Sequence, residues 1–454
     1  MAIQTLNPAT NEVIKDFNPH TAEEVKQKIA AADKAFRSWK ETSIAERAVL
    51  MQQCAEILEQ EAEKYGRIIS LEMGKPLKDA VSEVQKCAKA CRYYAAHAEE
   101  FLQDQEISSA ASKSIIAYEP LGVILAVMPW NFPFWQVFRF LAPALMAGNA
   151  GILKHASNVP QCALAIEEII RKAGFPEDIF HTLLIGSKEV NAVIENPLVM
   201  AVTLTGSEEA GSKVAEAAGR EIKKTVLELG GSDAFMVLDD ADLEQAAETA
   251  VKSRMVNTGQ SCIAAKRFIV VEAIADQFLE KMKQKMAQLK TGNPLEEECD
   301  YGPLARKDLA ADLQKQVDAS IEKGAKVILD GGHQDKNSAY FKPMILTNVK
   351  PGMPAYEEEM FGPVAAVMVV KDEAEAIRVA NDSRFGLAGA VWTKDKERGL
   401  RVARQVETGA MFVNTLVHSD PVMPFGGIKK SGYGRELSYL GIREFMNQKS
   451  IWVG

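Results

Sequence analysis

The spacing of apolar and polar positions divides the chain in two. Over the first ~105 residues, apolar side chains recur every three or four positions, the period of one helical face. The segments are TAEEVKQKIAAADKAFRSW, SIAERAVLMQQCAEILEQEAEKYGRIIS and DAVSEVQKCAKACRYYAAHAEEFL. Thr21 and Ser43 stand where N-caps belong, and Glu24 after Thr21 forms a capping-box pattern. From Ile115 the pattern changes. VILAVMPW, GILKHA, IFHTLLI and VMAVTLTG read as buried strands, with FRFLAPALMAG, CALAIEEIIRKAG and EEAGSKVAEAAG as helices. After Glu228 a second alternating block runs through the strands AFMVL, RFIVV, AAVMVV, LAGAVW and AMFVN. Strands alternating with helices predict right-handed βαβ units, parallel sheets and ligand sites at the strands' carboxyl ends. The fold class is therefore α/β with two doubly wound domains, and the turn-rich ELGGSD is a natural hinge between them.

Composition narrows the function. The 454 residues exceed one typical core, and 47% hydrophobic with 25% charged residues is ordinary for a soluble globular protein. A net charge of -9 leaves no basic surplus for nucleic acid. The N-terminal MAIQTLNPATNEV lacks a basic and an apolar region of signal-peptide type. The apolar stretch LGVILAVMPWNFPFW is interrupted by prolines and is too short for a bilayer. A cytoplasmic protein without membrane contact is expected. The six cysteines form no CxxC pair and no zinc-ligand spacing, so neither a disulfide framework nor a metal site is expected.

Five positions carry candidate chemistry. Cys262 follows Gly259-Gln260-Ser261, and Glu228 precedes Gly-Gly after an apolar strand. A thiol and a desolvated carboxylate suit a covalent mechanism in which the thiol attacks and the carboxylate later activates water. Asn131, in MPWNFPFW, is an amide in apolar surroundings that could donate to an oxyanion. Lys154 ends the strand GILKHA, and Gly206-Ser207 joins a strand to a helix where a phosphate could bind. Each has a plainer alternative: a structural cysteine, a capping glutamate, a turn asparagine, a surface lysine, an ordinary βα turn. There is no GxGxxG.

Taken together, PWNFP, LKHAS, TLTGS, LELGGSD, NTGQSC, EEEMFGP and PFGGIKKSGYGRE, in this order, resemble the aldehyde dehydrogenase superfamily over nearly the whole chain. The resemblance implies an aldehyde-dehydrogenase-like fold with a β-strand oligomerisation arm. Residues 1-111 and 127-228 would form the dinucleotide-binding domain, 229-417 the catalytic domain, and 112-126 with 434-454 the arm. It implies Cys262 as nucleophile, Asn131 and the Cys262 N–H as oxyanion donors, and Glu228 as the base that hydrolyses the thioester. Lys154 and Glu359 would contact ribose hydroxyls, Phe361 the nicotinamide, Trp130 the cofactor crevice, and Gly206 and Ser207 the pyrophosphate. Many NAD-preferring relatives carry a Glu where this chain has Ser157, so NADP is the expected preferred cofactor, with NAD use left open.

The same resemblance is closest to a short succinate-semialdehyde subgroup. Arg139, on the helix after Asn131, would bind the substrate's distal carboxylate with Ser419 and Trp135, since a buried arginine needs a counter-charge. The alternative for Arg139 is an inter-domain or interface salt bridge. Many of those enzymes have a second Arg where Val256 stands here. Rival readings are the same mechanism on glutarate semialdehyde, lactaldehyde or an aliphatic aldehyde, an acylating dehydrogenase, and a non-enzymatic role. Ile263 after the nucleophile offers no neighbouring thiol. SKSIIAYEP and NQKSIWVG look like strands without partners in their own domains, which in the family pair across subunits, so a homodimer or homotetramer is expected.

Overall fold

The computed structural model describes residues 3–454. Four helices, Ala22–Trp39, Ile44–Gln60, Ala62–Met73 and Leu77–Leu102, form the N-terminal layer. Both expected caps are present. Thr21 Oγ1 accepts from Glu24 N at 3.3 Å while the Glu24 carboxylate accepts from Thr21 N at 2.7 Å. Ser43 and Glu46 make the same reciprocal pair. The helical pattern missed an antiparallel hairpin ahead of them, Ile3–Leu6 with Val13–Phe17. The second of its strands is exposed nearly throughout, so no buried-face alternation marks it.

A six-stranded sheet has the order Gly432–Tyr433, Lys224–Glu228, Val199–Thr205, Val123–Met128, Ala150–His155, Phe180–Thr182. All its pairings are parallel except that of Gly432–Tyr433. Chain order reverses between Val123–Met128 and Val199–Thr205, which makes their carboxyl ends a topological switch point where a ligand crevice opens. Residues 123–126 belong to this sheet and not to the arm with which they were grouped. The turn Leu121–Gly122 is what divides them from the arm strand, which ends at Pro120.

The second sheet runs Lys326–Leu329, Met344–Thr347, Val364–Val370, Arg267–Val271, Ala234–Val237, Ala388–Trp392, Ala410–Val413, parallel but for its first pair. Its central strands are buried on both faces, which is why they read as continuous apolar runs.

The two arm segments have a partner after all: each other. Met446–Val453 pairs antiparallel with Lys113–Pro120, and Gln105–Glu106 adds a third short strand. Sequence alone hid this pairing because the two segments lie at opposite ends of the chain. The outer strand still shows an apolar surface, with Trp452 66% and Val453 48% exposed. Among the described residues, no helix is long and apolar enough to cross a membrane.

Candidate active site

The thiol sits on a loop with an unusual backbone. Helix Leu243–Met255 ends, and Asn257, Thr258 and Gly259 follow with φ of 52°, 57° and 77°. Left-handed residues in succession cost conformational energy and persist only where surroundings enforce them. Gly259 is required for a second reason: a Cβ there would lie 2.3 Å from the Gly362 carbonyl carbon. The loop is thereby pressed against the segment carrying Glu359 and Phe361. Buried Lys266 fastens it, donating to the carbonyls of Ser261 and Cys262 at 2.7 Å each and pairing with Glu359 at 3.2 Å.

Asn131 follows the strand Val123–Met128 and precedes the helix Trp135–Met146. Its Oδ1 accepts from Gln136 Nε2 at 3.0 Å, which turns its amide N–H groups the other way. Nδ2 donates to the Gln260 carbonyl at 3.0 Å, two residues before the thiol, and has a second hydrogen left to offer. A buried Lys75–Glu83 pair holds this corner. Lys75 Nζ donates to the Asn131 carbonyl at 3.0 Å, and Glu83 Oε1 accepts from Phe134 N and Trp135 N at 2.9 and 3.0 Å, capping a helix that has no side-chain cap of its own. Neither residue was flagged from sequence, since nothing local links GKP or the Leu77–Leu102 helix to PWNFP.

Two cavities meet at Cys262. One, of about 280 Å³, opens at the switch point and is lined by Trp130, Gly206, Ser207, Glu359 and Phe361 as well as Asn131 and Cys262. Trp130 and Phe361 stand edge to face there, 5.9 Å between ring centroids. Ser207 caps the helix Glu208–Arg220, its Oγ accepting from Ala210 N at 3.2 Å, so a helix N-terminus faces this space. Glu359 Oε1 accepts from Gly231 N at 3.1 Å. The other cavity, of about 180 Å³, is lined by Trp135, Arg139, Val256, Ser419 and Cys262. The thiol is therefore approached from two sides. Lys154 and Ser157 line neither space; Lys154 lies at the end of the neighbouring strand Ala150–His155, and its burial lowers its pKa.

Glu228 is not in either cavity. It is buried, both its carboxylate oxygens lack a protein hydrogen-bond partner, and a Cβ on Gly426 would lie 2.6 Å from Oε1. The carboxylate thus points at the PFGG turn. Burial first, then the neighbouring Glu436 carboxylate, hold its carboxyl well above the usual range. Burial also pushes the Cys262 thiol up to about 12, against the opposing pull of Lys266 and Arg139. Cys299 is buried elsewhere, with Sγ 3.2 Å from the Tyr301 carbonyl.

The argument that Arg139 awaits a ligand's counter-charge is corrected by the structure. Arg139, 3% exposed, is ion-paired through Nε with Glu436, itself 5% exposed, and donates from Nη2 to Thr205 Oγ1 at 3.3 Å. The counter-charge comes from the protein, supplied by a residue far along the chain that sequence spacing could not connect. Arg139 nonetheless stays at the wall of the cavity that holds the thiol. Trp135 Nε1 donates to Ser419 Oγ at 3.1 Å, joining two of the expected substrate residues. Lys86, not singled out from sequence, completes that group: its Nζ donates to Ser419 Oγ at 2.8 Å and lies 4.2 Å from the Trp135 ring centroid.

A parallel-sheet crevice and a separate tunnel converging on one loop-borne thiol define a dinucleotide-linked enzyme with a cysteine nucleophile. The chain belongs to the aldehyde dehydrogenase family, which it matches over residues 1–451. It is 51% identical over 453 residues, the full length of both chains, to a probable succinate-semialdehyde dehydrogenase [NADP(+)] of Synechocystis. It is 48% identical, again over full lengths, to the succinate-semialdehyde dehydrogenase [NADP(+)] of Mycobacterium leprae. Among solved structures, succinic semialdehyde dehydrogenase from Streptococcus pyogenes in complex with NADP+ superposes with a TM-score of 0.97 at 39% identity, covering all of both chains.

Proposed function

We propose that this protein oxidises succinate semialdehyde to succinate with NADP as the preferred acceptor. The observation that carries the reading is the position of Cys262 at the junction of a switch-point crevice and a tunnel with a polar wall at Arg139 and Ser419. The relatives named above carry the same activity in their names. The crevice suits a dinucleotide: it has a helix N-terminus, a serine at that N-terminus, a carboxylate in Glu359 and a pair of aromatic rings.

In this mechanism Cys262 gives up its thiol proton to solvent and Sγ attacks the aldehyde carbon. The second hydrogen of Asn131 Nδ2 and the Cys262 backbone N–H stabilise the oxyanion, and Gln136 and Lys75 keep Asn131 aimed. A nicotinamide held in the crevice between Trp130 and Phe361 would supply the hydride acceptor needed to oxidise the thiohemiacetal to a thioester. The Glu228 carboxylate then swings from Gly426 toward the thioester and takes a proton from the attacking water, its burial strengthening it as a base. Glu359, in the crevice, and Lys154, at the end of the neighbouring strand, would hold ribose hydroxyls, and Ser157 would admit the 2′-phosphate.

Initial rates on succinate semialdehyde and hexanal, each with NADP and with NAD, test this reading. The expected result is highest kcat/KM for succinate semialdehyde with NADP; better turnover of hexanal would overturn the substrate assignment. Ser157→Glu is expected to lower the NADP-to-NAD ratio of kcat/KM by ~10-fold or more, because a carboxylate beside the 2′-phosphate is repulsive. An unchanged ratio would remove Ser157 from the cofactor site.

We also infer a homo-oligomer of dimer or tetramer size, built on the exposed outer edge of Met446–Val453, whose Trp452 and Val453 call for cover. Sedimentation of a chain truncated before Lys449 checks this, an unchanged oligomer being the refuting result.

A further inference from the structure

If the substrate carries a distal carboxylate, as the proposed function holds, the question is which charge receives it. Arg139 is already paired with Glu436, so much of its charge is met within the protein. Val256, lining the same cavity, brings no charge. Lys86 does. It projects from helix Leu77–Leu102 into the place where the 180 Å³ tunnel meets an outer cavity of about 840 Å³, and it lines both. Among the described residues it has no ion-pair partner; its recorded contacts are Ser419 Oγ and the face of Trp135. Burial, with Arg139 nearby, lowers its pKa to about 8, the response of an ammonium short of compensation.

The bonding of Ser419 points the same way. Its Oγ accepts from Lys86 Nζ at 2.8 Å and from Trp135 Nε1 at 3.1 Å. A hydroxyl has two lone pairs and one hydrogen. With both lone pairs engaged, the Ser419 O–H is left as a donor, beside an ammonium and in the cavity that holds the thiol. A cation and an adjacent hydroxyl donor are what a carboxylate's two oxygens require.

We propose that Lys86 is a specificity-determining cation of the tunnel, binding the distal carboxylate of the aldehyde with the Ser419 hydroxyl. Lys86 thereby adds an unpaired cation to a wall that Arg139 lines while paired with Glu436.

The test compares kcat/KM for succinate semialdehyde and for butanal, its uncharged four-carbon counterpart, in wild type, Lys86→Met and Lys86→Arg. Lys86→Met is expected to lower the succinate-semialdehyde-to-butanal ratio by ~10- to 100-fold through KM, the scale of a lost hydrogen bond to a charged group. Lys86→Arg restores most of the ratio. Equal losses on both aldehydes, or an unchanged ratio, would overturn the assignment. Failure of the substrate reading shows separately, in the wild type, as better turnover of butanal. In that event competitive inhibition by succinate decides for Lys86: weaker inhibition of Lys86→Met supports the site, and equal inhibition refutes it.

Discussion

Cys262→Ala is expected to reduce dehydrogenase turnover by ~10,000-fold or more, the scale on which removal of a covalent nucleophile is felt. No other thiol can take its place. Cys54, Cys87, Cys91 and Cys162 are fully buried, and Cys299 is bound to carbonyls away from either cavity. Loss of one sulfur leaves the loop's anchors, Lys266 and Gly259, untouched, so the melting temperature is expected to stay close to wild type. Steady-state rates with a thermal melt on the same sample check both halves, and a residual rate within tenfold of wild type would exclude the thiol as nucleophile. The pH dependence follows from its burial. The reactive form is the thiolate, the resting pKa is pushed up to about 12, and so kcat/KM is expected to rise with pH across the neutral range. A rate falling over that interval would contradict a thiol raised by desolvation.

Glu228→Gln acts later in the sequence. The amide has the shape of the carboxylate but cannot accept a proton, so acylation proceeds and hydrolysis stalls. Rapid mixing is expected to show a burst of reduced nucleotide near one equivalent per chain, followed by turnover lowered by ~100-fold or more. Mass analysis of the quenched protein should then find the acyl group on Cys262. Loss of the burst together with turnover would mean that Glu228 is needed earlier, to take the thiol proton. The resting geometry makes the variant informative: Glu228 has no polar partner on either oxygen, so substitution breaks no hydrogen bond that holds the fold.

The difference between what the chain revealed and what it concealed has a physical origin. Strand–turn–helix units such as VILAVMPWNFP and TLTGSEEAG are local, and their apolar runs and turn residues mark both the element and the position of Asn131 or Ser207 at its end. The loop of Cys262 was visible through Gly259. What remained hidden depends on segments distant in sequence meeting in space. Glu436 neutralising Arg139, Lys266 bridging Cys262 and Glu359, and Lys86 reaching Ser419 each join different elements. The orientation of Glu228 toward Gly426 is a rotamer choice, which a one-dimensional pattern does not encode. The hairpin at Val13–Phe17 escaped because an exposed strand has no buried face to announce it.

One helix, Leu77–Leu102, supplies both Glu83 and Lys86, neighbours one turn apart on the same face. Glu83 fixes the corner that aims Asn131 at the reacting carbonyl, and Lys86 stands at the far end of the tunnel. A single rod therefore fixes the position of Lys86 relative to the Asn131 corner. On the proposed assignment of Lys86, one helix would thus couple the placement of the oxyanion donor to the grip on the substrate's other end.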